Sequence, residues 1–382
     1  MTPDRTARII FAGGGTGGHL FPAIAIANRV TELMKEKRPL EIIFVGTKRG
    51  LEYRMREALG YPLHIINMRG IARTITLKNL VVPFVLIVAL MKASALISRF
   101  RPDLVIGTGG YVCWPVLRVA ASKGITTLLQ EQNSFPGVTT RQLAGRAKKI
   151  YLGFDRARDF LKTDAELVNT GNPVRSDISS GARETALEKF KLDAGRKTIL
   201  ILGGSQGASA LNQAVLRSIE ESALDSDIQI LWQTGKRDYT EVAEQAGHKA
   251  SNCSLFPFAQ EMELVYAAAD VVVCRAGALT LAEITACGLP SILIPYPYAA
   301  GDHQRKNAAD YVERGMAMMI DESELANHNI IADAIRLLRS DNHSQMKSAI
   351  RRETAGKRPA VDLIAEDIIR QIETLKEAGV KG

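Results

Sequence analysis

Cysteine is scarce in this chain, with four residues in 382, at positions 113, 253, 274 and 287. No two form a Cys-x-x-Cys pair, which excludes a zinc ribbon and a thioredoxin-type redox motif. Each sits among apolar neighbours, so buried reduced thiols are expected. A basic segment leading into a long apolar stretch is missing at the start: Met1–Arg8 is short and polar, and Ile9-Ile10-Phe11 runs directly into glycines. No signal peptide is expected, and a reducing, cytoplasmic setting follows. The first glycine turn has no Gly-Lys-Ser/Thr, which excludes a Walker loop. No aromatic-interleaved basic strand or basic recognition helix occurs, so nucleic acid is not an expected partner. A convincing metal-ligand cluster is also lacking. Asp225-Ser226-Asp227 has the Asp-x-Asp form but lies in a polar stretch leading into a strand, away from the glycine turns, and reads as solvated surface. Neither a metal nor a cofactor is expected.

What is present is ordinary globular composition, 46% hydrophobic and 24% charged, in a chain long enough for two domains. The net charge of +8 is unevenly placed: residues 1–175 carry 26 basic against 12 acidic residues, and residues 176–382 carry 23 against 29. Such a split suits a basic half that meets an anionic surface, or a merely solvated one.

Short runs that are apolar on both faces read as buried parallel strands at Arg8–Ala12, Glu41–Val45, Leu104–Ile106, Thr198–Leu202, Ile228–Trp232, Val271–Cys274 and Ser291–Ile294. The segments between them are long enough for helices, which gives βαβ units. The chain then repeats itself. Ile9–Val30 and Thr198–Ile219 both read strand, glycine-rich turn, helix, and Leu104–Ala121 has its counterpart in Val271–Gly288. Two doubly wound sheets are the simplest architecture, with a junction near Gly171–Ser180. Ala360–Ala378 reads as an amphipathic helix through Val361, Ile364, Ile368, Ile372 and Leu375, one that leaves the second domain to pack elsewhere.

Two turns look suited to phosphates. Gly13–Gly18 matches G-x-G-x-x-G and opens a helix, but the second strand ends Val45-Gly46-Thr47-Lys48 without the acid a dinucleotide ribose needs, and His19 follows the glycines directly. Gly203-Gly204-Ser205-Gln206-Gly207 is the second turn, with Ser205 adding a hydroxyl. Either turn alone fits any βαβ fold; two of them, one per half, point to a ligand in a cleft between two sheets. A third constellation runs from Arg275 to Glu283. Thr280 and Glu283 are three apart on one face of a first helical turn, so Glu283 either caps its own helix or accepts hydrogen bonds from ribose hydroxyls. Asp302-His303-Gln304 and Asn307 gather polar groups after a further apolar strand.

The stretches GGGTGGHLFPAIAIA, GTGGYVCWPV, EQNSFPGVTTRQLA, GNPVR, GGSQGASALN, RAGALTLAEITACGLPSILIPYP and DHQRKNA occur in an order and spacing that resembles the MurG family, the bacterial N-acetylglucosaminyltransferases that make lipid II. The resemblance covers nearly the whole chain. It implies an α/β fold of the GT-B type, two Rossmann-like doubly wound parallel-sheet domains facing a deep cleft. It implies residues 1–175 as the acceptor and membrane-facing domain, with helix 360–382 packing back on it, and residues 176–359 as the UDP-sugar-binding domain. It implies transfer from UDP-N-acetylglucosamine to the 4-hydroxyl of the muramyl residue of an undecaprenyl-linked acceptor, with inversion. Thr16, Gly17 and Gly18 would lie at the donor sugar and acceptor side, and Asn133 would contact the sugar. Arg175 and Ser205 would serve the diphosphate. Ala278, Leu279, Thr280, Leu281, Ala282, Glu283 and Gln304 would hold the nucleoside and sugar, and Ala259 the uracil by its backbone. Gln130 stands where the family often has His. Other cell-wall synthesis proteins are candidate partners.

Inversion takes one displacement, so a base must remove the acceptor proton. His19 suits that task near neutral pH, or else it only orients the sugar. The rival readings are a related GT-B enzyme on another lipid acceptor and a UDP-sugar-binding protein without activity. Leu80–Met91 is an uncharged apolar run of twelve residues, ~18 Å of helix against a ~30 Å hydrocarbon core. It reads either as a buried core helix or, flanked by Arg69, Arg73, Lys78, Lys92, Arg99 and Arg101, as a contact with anionic lipid. The second reading makes the protein peripheral, on the cytoplasmic face of the inner membrane.

Overall fold

The computed structural model describes residues 6–68, 82–204, 207–221, 225–247 and 252–380. The chain divides into two units, residues 1–174 with 358–382, and residues 175–357. Arg175, expected in the first domain, belongs to the second unit, where its guanidinium pairs with Asp177 and Glu263.

The first unit holds β1 (Ala7–Gly13), α1 (Gly17–Met34), β2 (Leu40–Gly46), α2 (Leu51–Arg54), β3 (Leu63–Ile65), α3 (Val82–Phe100), β4 (Leu104–Gly109), α4 (Cys113–Ser122), β5 (Thr126–Glu131), α5 (Val138–Leu143), β6 (Lys149–Leu152) and β7 (Glu166–Asn169). Its seven strands run in the order β3-β2-β1-β4-β5-β6-β7, all parallel. Residues alternate across the sheet. Ile9, Phe11, Phe44 and Ile106 pack on the face covered by α1. Ile10, Val45, Val105 and Ile150 pack on the face covered by α3 and α4.

The second unit holds α6 (Arg183–Phe190), β8 (Lys197–Leu202), α7 (Ser209–Glu221), β9 (Ile228–Gln233), α8 (Tyr239–Ala246), β10 (Cys253–Phe256), α9 (Met262–Ala268), β11 (Val271–Cys274), α10 (Ala278–Ala286), β12 (Ser291–Leu293), α11 (His303–Glu313), β13 (Ala317–Met319), α12 (Ile330–Leu338) and α13 (Asp341–Thr354). Its six parallel strands are ordered β10-β9-β8-β11-β12-β13. Each of the two sequence repeats supplies the strand on one side of the switch point, β1 beside β4 and β8 beside β11, where chain order reverses.

The last helix, α14 (Ala360–Val380), returns to the first unit and lies against α1. Ile364, Ile368, Ile369 and Ile372 enter the core beside Leu20, Ala23 and Ala27. Burial of each isoleucine stabilises by roughly 1.5–3 kcal/mol before entropy is counted. The helix is also bonded by charge. Asp367 accepts from the Tyr151 hydroxyl at 2.6 Å and pairs with Lys149 Nζ at 2.9 Å, while Asp362 pairs with Arg29 at 2.6 Å.

Helix α3 corrects the reading of Leu80–Met91. Leu80 and Val81, with Arg69, Arg73 and Lys78, lie outside the described residues, and the helix continues nine residues past Met91 to Phe100. Pro83 sits in its first turn, where a missing N–H costs no helical bond. By length and composition Pro83–Phe100 could cross a membrane. Ala89, Ala93 and Ile97, four residues apart, instead pack in the core of the first unit. The opposite face is apolar and open: Phe84 is 74% exposed and Met91 67%, with Ile87 and Val88 beside them. A simple core helix would bury that face.

Candidate functional site

In the first unit, the turn after β1 and the turn after β4 meet at the carboxyl ends of neighbouring strands. A side chain on Gly13 would strike Thr108, one on Gly109 would strike the His19 ring, and one on Gly110 would meet the Gly14 carbonyl at 2.5 Å. The glycines are therefore required by packing between the two turns. Thr16, with extended backbone, precedes Gly17 and Gly18 in the first turn of α1. First-turn N–H groups lack helical partners and carry the positive end of the helix dipole.

His19, in that same turn, is half-buried. Its Nδ1 lies 3.2 Å from the Gly14 carbonyl and 3.5 Å from Thr16 Oγ1, and its own carbonyl accepts from Thr108 Oγ1 at 2.8 Å. A carbonyl can only accept, so Nδ1 carries the proton and Nε2 is the basic nitrogen.

Asn133 follows β5. Its N–H and its side-chain amide both donate to Glu131 Oε1, at 3.0 and 3.3 Å, and Glu131 Oε2 accepts from Gly137 N–H. Behind it Gln130, Gln132 and Asn172 form a buried amide network, with Gln132 donating to the Thr108 carbonyl at 2.8 Å. Gln130 thus helps tie β5 to the loop that follows β7. Thr16, Gly17, Gly18, His19 and Asn133 all fall at the carboxyl ends of β1 and β5, on either side of β4.

In the second unit, Gly204 and Gly207 have φ of +81° and +82°, conformations that favour glycine. Ser205 lies between them, outside the described residues. At the neighbouring strand, Gly277 is the N-cap of α10. Ala278, Leu279 and Thr280 form its first turn, whose dipole favours an anion at this end. The capping-box reading of Glu283 does not hold, because Glu283 is six residues past the cap, in the second turn. Its carboxylate accepts instead from the Tyr266 hydroxyl at 2.7 Å. Desolvation raises the Glu283 pKa, opposed by the Tyr266 hydrogen bond and the charge of Arg175. Leu281 serves the core: its side chain is buried, its N–H donates to Gly277 and its carbonyl accepts from Thr285. Ala282 is half-buried beside it.

Arg275 binds the end of β11 to the loop after β12, donating to the Ile294 carbonyl at 3.2 Å, pairing with Glu322 and stacking on Tyr296. Gln304 accepts from Tyr296 N–H at 3.0 Å, and buried Asn307 donates to the Ala276 carbonyl. Ala259 N–H donates to Gln233 Oε1 at 3.2 Å, so a ligand that takes this N–H must displace Gln233. Arg175 is spent on Glu263 and Asp177, and a diphosphate must compete with both.

A cavity of about 570 Å³ in this unit lies elsewhere, at the amino ends of β8 and β11, lined by Arg183, Lys197, Asp270 and Lys347. It shares only the Glu263 and Tyr266 wall with the candidate residues. Among the described residues no group of three or more His, Cys, Asp or Glu is placed to hold a metal. Asp225 and Asp227 are exposed and both pair with Arg339.

Two side chains that bond to these residues carry no signal in the sequence. Glu52 is fully buried and accepts from Gly15 N–H at 2.7 Å. Tyr266 reads as one more apolar residue of α9. No local pattern marks either, apart from the place of Glu52 six residues after the end of β2, near where a dinucleotide fold keeps its ribose acid.

Residues 9–152 match the glycosyltransferase family 28 N-terminal domain and residues 198–364 its C-terminal domain. A Chlorobaculum tepidum protein named UDP-N-acetylglucosamine–N-acetylmuramyl-(pentapeptide) pyrophosphoryl-undecaprenol N-acetylglucosamine transferase is 42% identical over 367 residues, 95% of this chain and 98% of that protein. One of the same name from Desulforamulus reducens is 39% identical over 96% of this chain and 98% of its own. The crystal structure of Acinetobacter baumannii MurG superimposes with a TM-score of 0.74 at 25% identity, covering 95% of this chain and 99% of that one. A UDP-N-acetylglucosamine 2-epimerase structure shares the fold alone, with a TM-score of 0.63 at 15% identity over 98% of both chains.

Proposed function

The chain belongs to the MurG family within glycosyltransferase family 28, and from that membership we propose that it moves N-acetylglucosamine from UDP-N-acetylglucosamine to the muramyl 4-hydroxyl of undecaprenyl-pyrophosphoryl-N-acetylmuramyl-pentapeptide. It is an N-acetylglucosamine transferase of peptidoglycan synthesis. The observation that carries the reading, beyond kinship, is the His19 imidazole held with Nδ1 on the Gly14 carbonyl at the carboxyl edge of the first sheet.

The second unit holds the donor. Glu283 accepts the ribose hydroxyls, the first turn of α10 and the Gly203–Gly207 turn receive the diphosphate, and Gln304 and the Ala259 backbone meet the sugar and uracil. Arg175, released from Glu263, meets the phosphates. The first unit receives the acceptor along Thr16–Gly18 and Asn133. His19 Nε2 takes the proton of the acceptor hydroxyl as its oxygen bonds to the anomeric carbon. The bond from that carbon to the phosphate oxygen breaks with inversion, and UDP leaves with the electron pair. Backbone N–H groups and the guanidinium stabilise the departing phosphate, a contribution on the order of a few kcal/mol.

The acceptor's lipid stays in the bilayer, so the enzyme comes to it. The open apolar face of α3, with Lys92, Arg99 and Arg101 nearby, docks on the anionic cytoplasmic leaflet. The protein is thus peripheral at the inner membrane.

The test is the purified chain with UDP-N-acetylglucosamine and lipid I or a short-chain analogue. A β-1,4-linked disaccharide lipid is expected. UDP-sugar binding without transfer to any lipid-linked acceptor would make it a binding protein, and transfer only to a different lipid-linked sugar would make it a related glycosyltransferase.

A further inference from the structure

Glu52 is an unusual residue to bury. It is fully enclosed in the four-residue α2, and the described residues offer it no ion pair. A carboxylate in that position costs several kcal/mol unless hydrogen bonds replace its water. Three do. Oε2 accepts from Gly15 N–H at 2.7 Å, and Oε1 accepts from Thr47 N–H at 2.7 Å and Thr47 Oγ1 at 3.1 Å. Three glycines make the space. A side chain on Gly14 would meet the carboxylate at 2.5 Å, and side chains on Gly46 and Gly50 would overlap it. Gly15 is gripped from both sides, because its carbonyl also accepts from Leu51 N–H at 3.4 Å, and its φ of +89° suits glycine.

The decisive point is which peptide Glu52 holds. The Gly15 N–H and the Gly14 carbonyl belong to one amide. Its N–H donates to Glu52 Oε2 and its oxygen accepts from His19 Nδ1. A full negative charge on the N–H side polarises the amide and strengthens the carbonyl as an acceptor, since hydrogen bonds in series reinforce one another in a low-dielectric interior. We propose that Glu52, acting through the Gly14–Gly15 peptide, is the positioning residue for His19, doing by way of a backbone amide what an acidic side chain does directly in a Ser-His-Asp triad.

The inference rests on reading His19 as the base. In the transfer step the acceptor proton goes to His19 Nε2. The imidazolium keeps its Nδ1–H on the Gly14 carbonyl, and the proton goes no further than the ring. The negative charge stabilises the cation that forms and holds the ring in the tautomer that leaves Nε2 basic.

Glu52→Gln keeps the shape and removes the charge. Its kcat should fall about 10–100-fold, by analogy with the partners that orient metal-bound histidines, while the KM for UDP-N-acetylglucosamine and the Kd for UDP stay near wild type. In a His19→Ala background the same substitution should cost no further activity, because residues acting as one unit are not additive. An equal loss in both backgrounds, or a fully active Glu52→Gln enzyme, overturns the proposal. Nitrogen-15 NMR of the wild-type histidines tests it even if the variant does not fold: neutral His19 should carry its proton on Nδ1, and a proton on Nε2 overturns it. A wild-type enzyme that transfers no sugar refutes the catalytic reading, whereas the NMR experiment addresses the link from the Gly14 carbonyl to His19 without relying on turnover.

Discussion

The two units place a glycine turn and a helix start at the same topological position, yet a carboxylate backs each turn differently. In the first unit Glu52 consumes the Gly15 N–H. That N–H is closed to a phosphate, although the turn matches the spacing of a nucleotide-binding fingerprint. In the second unit Asp238 stands behind the turn and grips side chains instead, accepting from Ser209 Oγ at 2.7 Å and Asn212 Nδ2 at 3.1 Å and pairing with Arg237. Burial would raise the Asp238 pKa, and these partners outweigh it and hold it below the ordinary value. Asn212 in turn accepts from buried Trp232, which fixes α7 on the sheet. The same motif geometry is thus backed in two different ways. One turn is wired toward a histidine; the other braces a helix start beside which an anion can sit.

The sharpest way to break this contrast is to remove the histidine. His19→Ala should lower kcat about 10²–10⁴-fold, the usual range for a general base, with UDP affinity unchanged by titration calorimetry. A variant with nearly full turnover would leave the first turn with no chemical role.

Next comes the return of α14 to the first unit. Asp367→Asn breaks a buried pair and should cost about 3–5 kcal/mol of stability, seen as a lower denaturation midpoint with UDP binding by the second unit retained. Burial would raise the Asp367 pKa, and the hydrogen bonds from Tyr151 and Lys149 outweigh it and hold it below the ordinary value. Its contribution is therefore full above about pH 4 and is lost as the pH falls through the lower folded value. A flat acid limb in wild type, or equal acid limbs in wild type and Asp367→Asn, would contradict this.

Donor recognition should respond more mildly. Glu283→Gln should weaken UDP-sugar binding about ten- to a hundredfold, the worth of a charged hydrogen bond of ~1.5–3 kcal/mol, with the fold intact. Tyr266→Phe should follow in the same direction with a smaller effect. Lost stability with unchanged donor affinity would assign Glu283 to structure alone.

The proposed membrane contact falls to the open face of α3 in the first unit. Phe84→Ser with Met91→Ser should reduce co-sedimentation with anionic vesicles while leaving the melting temperature near wild type, since both side chains are open to solvent. Val85, half-buried, is a poorer probe. Binding that is unchanged, or equal on neutral vesicles at high salt, would remove the face or the charge from the account. The smallest effect expected is from chelator: transfer should persist in its excess, and loss rescued by Mg²⁺ or Mn²⁺ would contradict this.

The sequence by itself determined the doubly wound class, the strands at both switch points, the two glycine turns and the histidine after the first. These features are local: parallel strands buried on both faces must be apolar along their length, and a tight approach of two backbones excludes side chains. Strands with polar ends escaped it. β5 finishes in Gln130 and Glu131, which are buried only because Asn133, Gly137 and Asn172 bond them. The bare apolar run of α3 left core helix and surface helix undecided, because that depends on which face finds a sheet. Glu52 lies between Leu51 and Tyr53 in a segment with arginines on either side, and nothing local separates it from a solvated acid. Thr47 bonds it from five residues away, but its link to the first glycine turn, like that of Asp367 to Lys149 and Tyr151, comes from a partner distant in sequence. Only the tertiary structure decided these, because the cost of burying a charge is met by whichever donors the fold brings to it.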